Sequence, residues 1–165
     1  MTTLLLIAGI AAAVLAINAI YPAIVRSSNA VVRISDKMDQ RIESQVTVVY
    51  ASAELDSSGV WTDTDSDGLF DVSIWVKNVG ASRLLAVDRT DVFFGKPGTF
   101  ARIPYTIDAG GSYPQWSFAL ENATEWTSSA TLKITVHYSA ALASDEYQVK
   151  VVVASGAYAE QYFSF

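Results

Sequence analysis

The chain has 165 residues, no cysteine, one histidine and a net charge of −6. An acidic balance repels phosphate backbones and argues against nucleic-acid binding. Without cysteine, neither a disulfide framework nor a thiolate zinc site is available, so stability must come from packing.

The first 25 residues carry no charged side chain, and Leu4 to Val25 is an apolar run broken only by Asn18, with Pro22 near its end. As a helix its 22 residues would span about 33 Å, against a hydrocarbon core of about 30 Å. A secretory signal has a basic start and a shorter apolar core, so an anchor is the better reading. Arg26, Arg33, Lys37 and Arg41 follow the run and none precede it. Taken alone that points the following domain inward, but long domains translocate largely regardless of charge. Val31, Ile34, Met38 and Ile42 recur at spacings of three, four and four, one apolar stripe on a continuing helix. The stripe predicts either a linker helix lying on its own head or an assembly face packing against identical helices or a partner. Pro22 predicts a kink near the membrane surface.

Residues 44–165 are a different material, with seven basic and fourteen acidic side chains. About 120 residues suffice for one β-domain with a real core and not for two. The expected division is a transmembrane and stem helix over 1–43 and a β-sandwich over 44–165. Val46, Val48 and Tyr50 alternate with Thr47 and Val49, and Val72, Ile74 and Val76 with Ser73, Trp75 and Lys77. The same period runs through Leu132–Tyr138 and Tyr147–Val153, and shorter runs lie at Asp91–Phe94, Phe100–Tyr105, Trp116–Leu120 and Tyr158–Phe165. Turn signals such as Asp67-Gly68, Asn78-Val79-Gly80 and Gly110-Gly111 separate them. Seven or eight short strands without a helical period predict an antiparallel sandwich.

The sharpest local motif is Asp63-Thr64-Asp65-Ser66-Asp67-Gly68-Leu69-Phe70-Asp71. Carboxylates at alternate positions, a glycine bend and a backbone carbonyl at Leu69 fit the first part of a calcium loop. The expected ligands are Asp63, Asp65, Asp67, the Leu69 carbonyl and Asp71. Ile74 stands where an EF-hand has its bidentate glutamate, so the motif resembles the loops of extracellular calcium repeats. The plainer alternative is a solvated acidic turn. Asn122-Ala123-Thr124 is the one N-x-Ser/Thr sequon, usable as a glycosylation site if the domain lies outside the cell.

No catalytic constellation is visible. There is no nucleophile elbow, no phosphate-binding glycine loop and no histidine pair for zinc, and His137 reads as an exposed sheet residue. Trp61, Trp75, Trp116 and Trp126 read as core, with Trp61 or Trp126 as alternatives for a sugar-stacking platform.

The uncharged helix leads through Tyr21-Pro22-Ala23 into Val32-Arg33-Ile34-Ser35-Asp36-Lys37 and Asp39-Gln40-Arg41-Ile42. The head carries Trp75-Val76-Lys77-Asn78-Val79-Gly80, Val92-Phe93-Phe94-Gly95 and Arg102-Ile103-Pro104-Tyr105. In overall pattern this resembles the archaellum accessory proteins FlaG and FlaF, relatives of the archaeal flagellins with a type IV pilin-like plan. The resemblance implies an immunoglobulin-like antiparallel β-sandwich carried on a transmembrane helix outside the cytoplasmic membrane. It also implies a non-enzymatic part of the motility machine, in its static portion, touching the S-layer and partner subunits and self-associating. No lysine-glycine leader site precedes the helix, which implies an unprocessed anchor or a mature start. Two alternatives stay open: a filament subunit whose helix packs in a fibre core instead of lipid, and a membrane-tethered carbohydrate-binding module.

Overall fold

In the computed structural model the described residues run from Thr2 to Ser164, less the side chains of Ala16, Gln40 and Arg41. Phe165, the end of the last expected strand, lies outside them. The chain divides into two compact units, residues 1–39 and 40–165.

One helix, α1, spans Thr2–Glu43 and runs through Pro22. Its composition explains its length, since alanine, leucine and isoleucine dominate and Gly9 and Pro22 are its only strong breakers. A segment of α1, Thr2–Asp39, is long and apolar enough to cross a membrane. Its large apolar side chains are exposed along its length, Leu4, Ile10, Ile17 and Ile24 among them.

The second unit holds eight strands: β1 Val46–Ala53, β2 Phe70–Asn78, β3 Asp91–Gly95, β4 Ala101–Ile103, β5 Gln115–Glu121, β6 Thr131–Tyr138, β7 Glu146–Val152 and β8 Tyr158–Ser164. A short helix, α2, spans Thr106–Ala109. The strands form two antiparallel four-stranded sheets, ordered β1-β2-β6-β5 and β4-β3-β7-β8. Each alternation seen in the sequence turns one side of a strand inward. Val72, Ile74 and Val76 lie opposite Val136, Ile134 and Leu132, and Trp116 lies opposite Val136; all seven are fully buried. From the other sheet Val92 and Phe94 lie opposite Val151 and Val149, with Phe94 stacked on Tyr147 at 5.3 Å.

One strand departs from its expected phase. Simple alternation puts Tyr50 on the core side with Val46 and Val48. A bulge between Val48 and Tyr50 inserts one residue and turns everything after it over. Val49 and Tyr50 are exposed, and Ala51 and Ala53 take the core positions.

The start of β1 is tied to the end of β2 by a buried polar knot. Asn78, fully buried, donates from Nδ2 to the carbonyls of Ser82 (2.9 Å) and Trp126 (3.0 Å), and its Oδ1 accepts from Gly80 N–H. Val79 and Gly80 donate to the carbonyl of Gln45, and Ser82 N–H donates to that of Glu43. Ser82 Oγ also donates to the Glu43 carboxylate at 2.8 Å. Gly80 is required there: a Cβ on it would lie 2.0 Å from the Glu43 carbonyl oxygen.

Candidate functional site

The outer face of the β1-β2-β6-β5 sheet gathers the polar residues that the core rejects. The register sets them in rows across the strands. One row is Tyr50, Trp75, Lys133 and Ala119; the next is Ser52, Ser73, Thr135 and Ser117. In the third, Asp71 lies opposite His137, and His137 opposite Gln115. Glu54, just past β1, continues that row, its N–H donating to the Asp71 carbonyl. In the first row Tyr50 and Trp75 lie 5.5 Å apart between ring centroids, and Lys133 Nζ sits 5.4 Å from the Trp75 ring centre. A depression of about 280 Å³ opens between the rows, lined by Tyr50, Ser52, Glu54, Asp65, Asp71, Ser73, Trp75 and Lys133 among others.

His137 is not the freely exposed sheet residue expected from its position. Its ring is half-buried between two partners, Asp71 Oδ1 at 2.7 Å from Nδ1 and Ser117 Oγ at 2.8 Å from Nε2. The hydrogen bond to Asp71 raises the imidazole above its ordinary range, burial opposes it, and the Asp71 charge adds to the rise. The line Asp71–His137–Ser117 has the residue types of a hydrolytic triad, but its setting differs. Ser117 sits in mid-strand, not on the strained strand-to-helix turn that exposes a hydrolase nucleophile.

The acidic loop gathers a different set of oxygens from the one its spacing suggests. Asp63 Oδ1 accepts N–H from Ser66 (2.7 Å) and Asp67 (3.2 Å), and Oδ2 accepts from Gly68 (2.8 Å). Asp67 Oδ1 accepts from Leu69 N–H at 2.8 Å, and Asp71 is engaged by His137. Among the described residues, the carboxylates within 4.8 Å of one another are those of Glu54, Asp63 and Asp65. Two expected ligands are therefore together, Glu54 joins them, and the carboxylates of Asp67 and Asp71 do not. Glu54 was missed because it lies on the neighbouring strand end, where it accepts from Thr64 N–H and Oγ1. The Asp67 amide lowers the Asp65 carboxyl, but burial and the charges of Asp67 and Glu54 outweigh it and raise the group above its ordinary range. A carboxylate retains lone pairs after accepting one N–H, so this all-oxygen set suits a hard cation such as calcium, with water completing the shell.

The remaining expected positions are scattered. Asn122 is exposed in the left-handed region (φ 54°), in the turn between β5 and β6. Val31, Ile34, Met38 and Ile42 are all exposed, at 60–64%. Trp61 and Trp126 cannot serve as sugar platforms, being 6% and 2% exposed; Trp61 packs edge-on against Phe70 and Tyr138. Trp75, expected in the core with the other three, lies instead half-buried on the outer face of the sheet, because it shares a side of β2 with Ser73 and Lys77.

A profile of archaeal-type flagellins matches residues 2–163, taking in both the helix and the head. The chain belongs to the archaeal-type flagellin family. A relative in Archaeoglobus fulgidus, described only as an uncharacterized protein, is 28% identical over 171 residues, 99% of this chain and 96% of that protein. Among solved structures, the archaellum periplasmic stator protein FlaG of Sulfolobus acidocaldarius superposes with a TM-score of 0.55 at 23% identity. The match covers 73% of this chain and 99% of FlaG. The FlaF–FlaG stator complex of the same organism gives 0.54 at 23% identity, over 73% of this chain and 89% of the matched chain. The shared fold is the two-sheet sandwich. This archaeal-type flagellin family member thus places its rows of polar and aromatic side chains on a FlaG-like head.

Proposed function

We propose that the chain is a non-enzymatic, single-pass component of the archaellum whose head stands outside the cytoplasmic membrane, on the stationary side of the machine. The observation that carries this is the match of its head to almost the whole of the FlaG stator domain. The apolar helix supports it, because the segment Thr2–Asp39 has the length and hydropathy of a membrane span. The expected partners are a second archaellum subunit, as FlaF and FlaG form a complex in Sulfolobus acidocaldarius, and a fixed envelope layer such as the S-layer. Exposure of the stripe Val31, Ile34, Met38 and Ile42 supports its use as an assembly face between helices.

A second reading is a filament subunit. It is favoured by the family profile itself, which begins at residue 2 and so includes the apolar helix. In that case α1 faces identical helices in a fibre core. Shearing filaments from cells separates the two. A stationary part stays in the envelope fraction; a filament subunit leaves with the fibre as its dominant protein. Recovery of this chain as the main component of sheared fibres would overturn the first reading.

A further inference from the structure

The membrane helix and the sandwich core leave one organised surface without a role, the outer face of the β1-β2-β6-β5 sheet. Its middle row is low: Ser52, Ser73, Thr135 and Ser117. The rows on either side are tall, Tyr50–Trp75–Lys133 on one and Glu54–Asp71–His137 on the other. Successive residues on one face of a strand are about 7 Å apart. Two tall rows with a low one between therefore enclose a trough running across the strands.

We propose that this trough binds a neutral carbohydrate chain. The proposal goes beyond the archaellum reading and stands or fails separately from it. The floor supplies hydroxyls: Ser73 and Thr135 are half-buried, and neither side chain has a hydrogen-bond partner among the described residues. One wall is aromatic. Trp75 is braced between Tyr50 and Lys133, and Tyr50 is 58% exposed, an apolar ring available to the C–H face of a sugar. The other wall and its end, Glu54, Asp71 and Asp65, carry carboxylates, the strongest acceptors for sugar hydroxyls.

The same charges select among ligands. Glu54, Asp65 and Asp71 line the depression against Lys133, with His137 paired to Asp71 beside it, and the remaining acidic excess disfavours phosphate, sulfate and uronate groups. An extended peptide is disfavoured on different grounds. The middle of the trough floor, Ser73 and Thr135, lies on β2 and β6, interior strands paired on both sides, so it offers no free sheet edge for strand addition.

The test uses the full chain in a sugar-free zwitterionic detergent. Mannotriose, cellotriose and chitotriose are titrated while tryptophan fluorescence and binding heat are followed, with trigalacturonate as the anionic counterpart. At least one neutral trisaccharide is expected to bind saturably and trigalacturonate not to bind. Tyr50→Ala and Asp71→Asn are each expected to weaken binding about tenfold or more; Tyr162→Ala, on the other sheet, is expected to leave it unchanged. Tyr50 is exposed, so its variant keeps the test decisive if Asp71→Asn perturbs folding. The proposal fails if none of the three neutral sugars binds at tens of millimolar, if Tyr50→Ala leaves binding intact, or if trigalacturonate binds better.

Discussion

The two regions of this chain solve opposite problems with the same residue types. In α1 the leucines, isoleucines and valines point outward, with Leu6 65% and Ile20 57% exposed. In the head Val72, Ile74, Leu132 and Ile134 are fully buried. An apolar side chain exposed in the isolated molecule stabilises nothing until lipid or another helix covers it, whereas one in the core contributes to the fold immediately. The helix therefore reports on assembly, and the head reports on folding.

Removing residues 1–39 should break that comparison most visibly. The remaining chain is expected to stay soluble without detergent and to melt cooperatively, while the full chain requires detergent or forms fibres. Analytical ultracentrifugation decides it; a monomeric, detergent-free full chain would contradict the assignment of α1. Single substitutions sharpen the contrast. Trp116→Ala empties a fully buried site and is expected to destabilise the head by about 3–5 kcal/mol. Leu6→Ala should leave the head's melting temperature unmoved.

A smaller effect comes from His137. Its folded pKa is raised, so the stabilisation it gives is fully present below the unfolded value of about 6.5 and is lost as pH rises through the folded value. The melting temperature of the head is expected to fall as pH rises above about 6.5, reflecting no more than about 1 kcal/mol for a partly exposed pair. His137→Gln should flatten that dependence. Calcium is expected to give the smallest shift. Ions bound by Glu54, Asp63 and Asp65 would raise the melting temperature only at millimolar concentration, as weak extracellular sites do. Asp63→Asn should abolish the rise, and absence of any rise in the parent chain would leave the loop as a turn closed by its own amides.

The eight strands were legible because each buries one side, and burial writes a period of two into the sequence. The bulge after Val48 was not, since Thr47, Val49 and Tyr50 suit either phase. The loop was recognisable as oxygen-rich, but its gathered set was hidden because Glu54 lies nine residues before Asp63. His137 and Asp71 are 66 positions apart and meet only through the β2–β6 register. Alternation put Ser73, Thr135 and His137 on the outer side, and Trp75, read as core for its size, joins them there; which of them become neighbours depends on strand pairing that no single segment encodes.

The knot around Gly80 has a mechanical consequence. A force reaching Glu43 along the backbone is shared among the bonds from Ser82 to Glu43 and from Val79 and Gly80 to Gln45 before it loads the first paired residue of β1. A side chain at position 80 would displace the Glu43 carbonyl, so one hydrogen atom in place of a methyl group keeps all of these bonds in register.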